Sequence, residues 1–547
     1  MNIIKPILYT AFAGVLLASC KSVSNIPVPS GTDNYINIPA KKGDLSPDEM
    51  NRWSHADLAT DSIPGMSIDK AYEFLAGKTG VEVVVGVVDS GTDLTHEDLK
   101  DVAWVNTKEV ANNNKDDDNN GYADDINGWN FLGSIYKENS EEARILDNPA
   151  ITTAAEVARA KAAKAEKVGA AKMNKMRYEQ MLQAVTGSID EISKELNKEE
   201  FTKEEVFAIK TENPTLQRSI EIAKQMYGFG VPSLNTAKKE LTNLVTDAAN
   251  LLNNKAITNY RAVLKDDPNT MDVVVYGDGN TGHSTKDEAH GTHVSGIIAA
   301  SRNNGKGVNG VANNAKIMAV RAVPDGDEYD KDIALAIRYA VDNGAKIINT
   351  SFGKGYSPKK EWVYDAIKYA GAKDVLIVNA AGNDGKDIDV EKTYPNDSAN
   401  LVSEISDNVL TVGAMSVNYN ENLPASFSNY GKRNVDIFAP GVQIYATFPE
   451  NEYQSISGTS MAAPSTAGVA ALIRSYYPKL SASQVKHIIM NSGVKINFDV
   501  VKPGSQSREN PNGVKVPFAD LSVSGRIVNA YNALIMADRI ANAKNKK

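Results

Sequence analysis

Residues Gly458–Pro464 read Gly-Thr-Ser-Met-Ala-Ala-Pro and place a serine hydroxyl at the start of a helix built from small residues. Between Ser460 and Ala471 alanine is frequent, and this composition lets a helix run close-packed through a core. Pro464 fits only the first turn of such a helix, where its missing N–H costs nothing. The unpaired N–H groups of a helix start favour an anion beside Ser460. This position therefore suits a nucleophile, although a serine before a helix is also an ordinary N-cap.

Apolar runs of strand length alternate with helical patterns in much of the chain. The run Glu82–Val88 is too β-branched for a helix and too apolar for a strand with one wet face. Helical periodicity marks Lys331–Asn343 and Trp362–Ala370, and a glycine follows each. The other strand-like runs are Lys316–Arg321, Lys346–Phe352, Asp374–Ala380 and Val409–Ala414. This alternation predicts an α/β fold with a doubly wound, mostly parallel sheet.

Residues 134–271 interrupt the alternation with an Ala-, Lys- and Glu-rich segment of helical periodicity. We expect an inserted helical subdomain that divides one α/β domain into residues 50–133 and 272–547. In sequence, the insertion lies between Asp89 and His290. We therefore expect it to emerge near the carboxyl edge of the sheet, where such folds have their working crevice.

The N-terminal residues predict export and anchoring. Residues 1–19 combine an early lysine, an apolar run and small residues, as a secretory signal does. Leu-Ala-Ser-Cys ending at Cys20 resembles the lipobox of bacterial lipoproteins, which implies lipidation of Cys20, a membrane partner and a bacterial cell-envelope location. The membrane face, periplasmic or surface, stays open, and an ordinary signal peptide is the alternative. Residues 20–49 predict a flexible spacer.

Composition limits the partners. The 547 residues carry a formal net charge of −9 and no dense basic run beyond the N-terminus and a helical segment, so we expect no nucleic-acid partner. Cys20 is the single cysteine, which excludes a disulfide framework or a cysteine metal site within the chain.

Several polar residues lie at the predicted carboxyl ends of strands, where a parallel sheet has its crevice. Asp89, Ser351 and Asn383 stand at or just beyond the ends of predicted strands, and His290 begins a helix-like run. Asp89, His290 and Ser460 are the residue types that acyl transfer needs. The hydroxyl attacks, the imidazole takes its proton and the carboxylate orients the imidazole.

The sequences around these residues resemble the motifs of the subtilisin-like serine peptidases. The stretches are Val87–Gly91, His290–Gly296 and Gly458–Pro464, in that family's order of Asp, His and Ser. The resemblance covers about residues 50–134 and 272–540. It implies a serine endopeptidase that acts on polypeptides, with Ser460 as nucleophile, His290 as general acid and base, and Asp89 as its orienter. His293 is then structural.

The same resemblance implies how substrate is held. Asn383, in a stretch that includes Ala381 and Gly382, resembles the family's oxyanion donor, acting together with the Ser460 backbone N–H. The segment Ser351, Phe352 and Gly353 resembles the edge that pairs with an extended polypeptide as an added antiparallel strand. A proteolytically silent scaffold, whose groove or insertion binds a partner, is the alternative function.

An oxygen-rich loop predicts a structural Ca²⁺ ion and no organic cofactor. Its pattern has oxygen ligands at alternate positions and a glycine for the turn. Asn127 stands where an EF-hand would carry its bidentate glutamate, so the loop is not an EF-hand, but similar loops recur in bacterial subtilisin-like chains. An Asn- and Asp-rich surface turn is the alternative. The expected ligands are Asp116, Asp118, Asn120 and Asp124.

The chain departs from the family in one respect. The resemblance implies an inhibitory N-terminal propeptide, but the segment between Cys20 and Asn51 is short for one. We therefore expect the helical insertion to take over part of that role, as a lid, an exosite or a folding aid.

Overall fold

The computed structural model describes residues 41, 43–228, 231–252, 257–271 and 275–544. The predicted signal, the Cys20 lipidation site and most of the spacer lie outside these residues. Across the ranges just given, no helix is both long enough and apolar enough to cross a bilayer.

The described strands form one large sheet and two small hairpin-like pairs. Numbered in chain order, they are β1 Val83–Asp89, β2 Gly128–Asn130, β3 Ala315–Arg321, β4 Ile347–Thr350, β5 Leu376–Ala380, β6 Val409–Met415, β7 Ile437–Pro440, β8 Ile444–Phe448, β9 Glu452–Ile456, β10 Val494–Lys495, β11 Asp499–Val501, β12 Lys515–Pro517 and β13 Arg526–Ile527. The nine-stranded sheet has the order β10-β13-β7-β6-β5-β4-β1-β3-β2. Its pairings are parallel except for that of β10 with β13.

The predicted α/β fold with a mostly parallel sheet is confirmed, and each of the five predicted strands is present. Side chains of β1 alternate between the two faces of the sheet, with Val85 and Val87 in one apolar core and Val88 in the other. The boundaries differ by one or two residues, and the difference that bears on the site is that β4 ends at Thr350 and not at Phe352. Ser351 leaves the ladder to bond with Ser460.

Helices flank the sheet on both faces, and others lie in the segment between β2 and β3. They are α1 Pro47–Arg52, α2 Leu58–Asp61, α3 Ile68–Leu75, α4 Glu141–Asp147, α5 Ala154–Leu196, α6 Lys203–Ala208, α7 Pro214–Gly228, α8 Leu234–Leu252, α9 His290–Ala299, α10 Asp330–Asp342, α11 Lys360–Ala372, α12 Thr459–Tyr476, α13 Ala482–Ser492 and α14 Ala530–Lys544. Helices α9 and α12 share the core that contains Val85, whereas α10 and α11 cover the opposite face. This layering is that of a doubly wound sheet.

Helices α4–α8 lie in the segment predicted to be an insertion. The distal part of α5 packs with α7 and α8 around an apolar cluster of its own, which includes Val185, Ile192, Ile220 and Leu241. The base of the segment joins the sheet domain through a parallel bridge between Lys137 and Asp325. This segment therefore has a small core of its own and an attachment to the sheet domain.

Candidate active site

Asp89 and His290 meet at the carboxyl edge of the sheet. Asp89 ends β1 with its side chain 1% exposed, and its Oδ1 lies 2.7 Å from Nδ1 of His290 at the start of α9. A side chain at Gly291 would place its Cβ 2.6 Å from the Ser90 carbonyl oxygen, so glycine permits this close approach. Because a carboxylate only accepts, the proton belongs on Nδ1, which leaves Nε2 as the basic nitrogen.

The charge of Asp89 sets the protonation of His290. Desolvation of the partly exposed ring opposes the cation, but the Asp89 carboxylate attracts the cation and accepts its hydrogen bond. These two contributions of Asp89 raise the pKa of His290 above the ordinary value. The neighbouring His293 differs. Burial lowers its pKa to about 4, and its Nε2 lies 3.0 Å from the Gln454 carbonyl oxygen, so this neutral ring is structural.

Ser460 lies in the first turn of α12, which packs against α9. Its Oγ donates to the Ser351 carbonyl at 3.0 Å, while the Ser351 hydroxyl donates to the Ser460 carbonyl at 2.9 Å. Among the described residues, Oγ of Ser460 makes no hydrogen bond to His290. The helix thus brings the hydroxyl to the same sheet edge, where it is held by Ser351.

The expectation that Pro464 occupies the first turn is wrong, because α12 begins at Thr459 and Pro464 stands in its second turn. A proline there has no N–H to donate to the carbonyl four residues earlier, which is that of Ser460. The Ser351 hydroxyl takes this carbonyl instead. The proline therefore frees the backbone group that ties α12 to Ser351.

The orientation of Asn383 follows from its partners. Its Oδ1 accepts from the Thr459 N–H and from the Thr459 hydroxyl, both at 2.8 Å. Because a backbone N–H can only donate, it fixes the oxygen of the amide inward and turns the NH₂ group away from Thr459. The Thr459 hydroxyl also accepts from the Gly382 N–H at 3.0 Å. These bonds join the Asn383 loop to the helix that carries Ser460.

Asn429 holds the same loop through its side-chain amide, a role that the sequence did not indicate. It is completely buried, donates to the Ala381 carbonyl at 2.9 Å and accepts from the N–H groups of Asp384 and Lys386. Gly382 has φ +101°, and a Cβ there would lie 2.4 Å from the Asn429 amide nitrogen. Glycine is therefore required for both conformation and space.

A buried ion pair that the sequence reasoning also missed supports the Asp89–His290 pair. Glu288, two residues before His290, accepts from Arg321 Nε at 2.6 Å and from the Gly91 N–H at 3.0 Å. Arg321 ends β3, the neighbour of the strand that ends in Asp89. This contact ties the segment before α9 to the segment after β1.

The segment Ser351–Gly353 presents an open edge. Lys354 exchanges both backbone hydrogen bonds with Tyr394, at 2.8 and 2.9 Å. Within the described chain, no backbone group pairs with the N–H or the carbonyl of Gly353, and the half-buried side chain of Phe352 packs on the second core. Gly353 can therefore accept a further strand.

The oxygen-rich loop contains a cluster of three carboxylates. Glu109, Asp116 and Asp118 each offer an oxygen, and these oxygens lie within 4.8 Å of one another. Asn120 donates its N–H to both aspartates, whereas the Asp124 carboxylate accepts from the N–H groups of residues 113 and 114 and is not among the three. The half-buried loop thus includes Glu109, which the sequence pattern did not indicate. Carboxylate oxygens are the ligands that hard cations such as Ca²⁺ prefer.

Fold and site together define the class of protein as a serine endopeptidase. The chain belongs to the subtilase family, Peptidase_S8, whose sequence model matches residues 80–515. It is similar to subtilisin DY of Bacillus licheniformis, with 38% identity over 39% of this chain and 73% of that protein, and to thermitase of Thermoactinomyces vulgaris, with 40% identity over 38% and 68%. The cell wall-associated protease of Bacillus subtilis (strain 168) is 37% identical over 48% of this chain, but the match spans only 28% of that protein.

Proposed function

We propose that this chain hydrolyses peptide bonds within polypeptides through an acyl-enzyme on Ser460. The observation that carries the proposal is the 2.7 Å contact of Asp89 with Nδ1 of His290 at the sheet edge that also holds Ser460. Nε2 of His290 takes the hydroxyl proton as Oγ attacks the scissile carbonyl carbon, and then gives it to the leaving amine. Water repeats the two transfers and releases the acid. Attack requires the Ser460 hydroxyl to turn from the Ser351 carbonyl towards His290.

The open edge supports the assignment of polypeptide as the substrate class. An extended chain that pairs with Ser351 and Gly353 is held through its main chain, whatever its side chains. Ala381 and Gly382, in the loop that bonds to Thr459, are the other proposed substrate-binding residues. This arrangement suits an endopeptidase, because it needs no free terminus.

The purified protein should cleave unfolded casein at internal bonds, and peptide mass mapping of the products tests this. The scaffold alternative predicts that casein stays intact while the protein still captures a partner. Internal cleavage sites would support the peptidase, and intact casein at high protein concentration would support the scaffold.

We propose that the Asn383 NH₂ group and the Ser460 N–H stabilise the oxyanion of the tetrahedral intermediate. In the described chain no acceptor takes the Ser460 N–H, and Thr459 turns the Asn383 NH₂ group outward. Asn383→Ala should lower kcat by about 10²- to 10³-fold with little change in KM, because the donor acts on charge that develops only in the transition state. Exposed Asn400→Ala serves as the control. An equal loss in both variants, or a loss confined to KM, would contradict the role.

We propose that Glu109, Asp116 and Asp118 hold a structural Ca²⁺ ion, with the loop around Asn120 and Asp124 shaping the site. Adding Ca²⁺ at about 100 times its Kd to EGTA-treated protein should raise the thermal midpoint by about 3 °C, since binding to the folded state alone stabilises it. Glu109→Gln should lose most of this shift, and the exposed control Glu82→Gln should keep it. An identical shift in both variants would place the ion elsewhere.

We also propose, from the sequence motif alone, that Cys20 carries a lipid that anchors the protein in a bacterial envelope membrane. Two acyl chains anchor stably where one does not. In cells, the full chain should sediment with membranes, and Cys20→Ser should appear in the soluble fraction. Membrane association that survives this substitution would contradict anchoring through Cys20.

A further inference from the structure

The start of α5 lies against the chain that continues the open edge. Arg159 donates from Nη2 to the Gly355 carbonyl at 2.7 Å, and its guanidinium carbon lies 3.7 Å from the centre of the Tyr356 ring. Gly355 follows Gly353 by two residues. A substrate strand can therefore pair with Ser351 and Gly353, but at Gly355 it meets a carbonyl that Arg159 already occupies.

Buried contacts fix this part of the insertion to the edge. The ammonium group of Lys354, 2% exposed, lies 2.7 Å from the Glu141 carboxylate of α4 and 2.9 Å from Asp330 of the sheet domain. Ala160, one residue after Arg159, is buried in a small apolar cluster with Tyr356. Because a buried ion shared between two elements resists their separation, the α5 start keeps its place beside the edge.

The charged side chains around Arg159 include more positive charge than negative charge. Arg159 pairs with Glu156 at 2.7 Å, and Lys392 reaches the same carboxylate at 3.5 Å. The side chains of Arg159 and Lys392 are 39% and 45% exposed, so both stay accessible. Two cations thus share one carboxylate, and the guanidinium is already oriented by Gly355 and Tyr356. A held guanidinium with free N–H groups suits a carboxylate ligand.

Antiparallel pairing along the open edge identifies the substrate residue that would face Gly355. Ser351 touches Ser460, so the substrate residue that faces Ser351 is next to the scissile bond. In an antiparallel pair the partners advance one for one, and the residue that faces Gly355 is about four positions further upstream. We propose that Arg159, assisted by Lys392, forms a specificity-determining subsite for an acidic side chain at that upstream position. The inference rests on the proposed peptidase function and gives the insertion a role in substrate selection.

Two peptide series test the subsite. The first contains internally quenched peptides that place Glu or Gln at each position from three to six upstream of the cleaved bond, and the second contains peptides too short to reach Gly355. Enzymes are the wild type, Arg159→Ala, Arg159→Lys and the control Arg177→Ala, which removes an exposed arginine farther along the same helix. Binding of the same peptides to Ser460→Ala, with and without Arg159→Ala, is measured by fluorescence anisotropy and needs no turnover.

The wild type should prefer Glu over Gln at one of these positions by about threefold to tenfold in kcat/KM, mainly through KM, as a half-exposed ion pair allows. Arg159→Ala should bring the ratio close to one and leave short-peptide cleavage unchanged, while Arg159→Lys keeps part of the preference and Arg177→Ala keeps all of it. A wild type without preference, a preference that survives Arg159→Ala, or an equal loss on short peptides would overturn the subsite. If no peptide is cleaved, the peptidase proposal fails, and the anisotropy ratio alone decides the subsite.

Discussion

Replacing Ser460 by alanine should lower kcat on unfolded casein and on peptides by about 10⁶-fold, the scale of loss when the nucleophile of a subtilisin is removed. The loss is this large because the hydroxyl forms the covalent intermediate, and neither His290 nor the oxyanion donors can replace it. Initial rates from purified protein measure the effect. The fold should survive, since Ser460 Oγ contributes one hydrogen bond, to Ser351, worth about 1 kcal/mol.

A second serine of the same helix provides the control. Ser465 is buried in α12, and its hydroxyl donates to the Met461 carbonyl within the helix. Ser465→Ala should keep kcat within about twofold of the wild type, because it removes only a local bond of modest value. Comparable losses in both variants would mean that α12 is sensitive to any change and would remove the special role of Ser460.

Asp89→Asn should lower kcat by about 10⁴-fold while the fold is retained. An amide at this position can present its NH₂ group to Nδ1 of His290, which moves the ring proton to Nε2, where the base must be free. The exposed Asp101→Asn tests whether loss of any carboxylate from this region has the same effect. A loss smaller than about tenfold for Asp89→Asn would contradict its place beside the catalytic imidazole.

The same substitution should change the pH profile. Only neutral His290 accepts a proton, so kcat/KM of the wild type should fall as pH decreases through the raised pKa of His290. Asp89→Asn removes the attraction that raised this pKa but leaves the desolvation of the partly exposed ring, so the acid limb should move to lower pH. A profile of kcat/KM between pH 4 and 9 measures the limb, and an unmoved or upward-moved limb would show that another group sets it.

The sheet could be predicted because its strands are buried on both faces. Continuous β-branched runs such as Glu82–Val88 have few alternatives at strand length, and their observed bounds shift by only one or two residues. The end of β4 could not be predicted, because the residue types of Ser351 and Phe352 do not distinguish them from the strand residues before them. Their path is decided by Ser460, which is more than 100 residues away in sequence.

The site residues could be predicted where the reaction requires particular residue types. The supporting residues were missed, because tertiary packing determines which groups they contact. Asp89 and His290 lie together as expected, and Asn383 faces the helix of Ser460. The supporting roles of Asn429 and Glu288 could not be predicted, because their hydrogen-bond partners are far from them in sequence. The position of the insertion beside Gly355 likewise depends on tertiary contacts that periodicity does not contain.

The most direct test of the account is the mass of the protein after reaction with a fluorophosphonate. This reagent phosphonylates a serine hydroxyl, with loss of fluoride, only where a neighbouring base and oxyanion donors activate it. We predict one adduct per wild-type chain, mapped to Ser460, and none on Ser460→Ala. An unlabelled wild type, or an adduct that persists on Ser460→Ala, would contradict the assignment of Ser460 as the nucleophile of this chain.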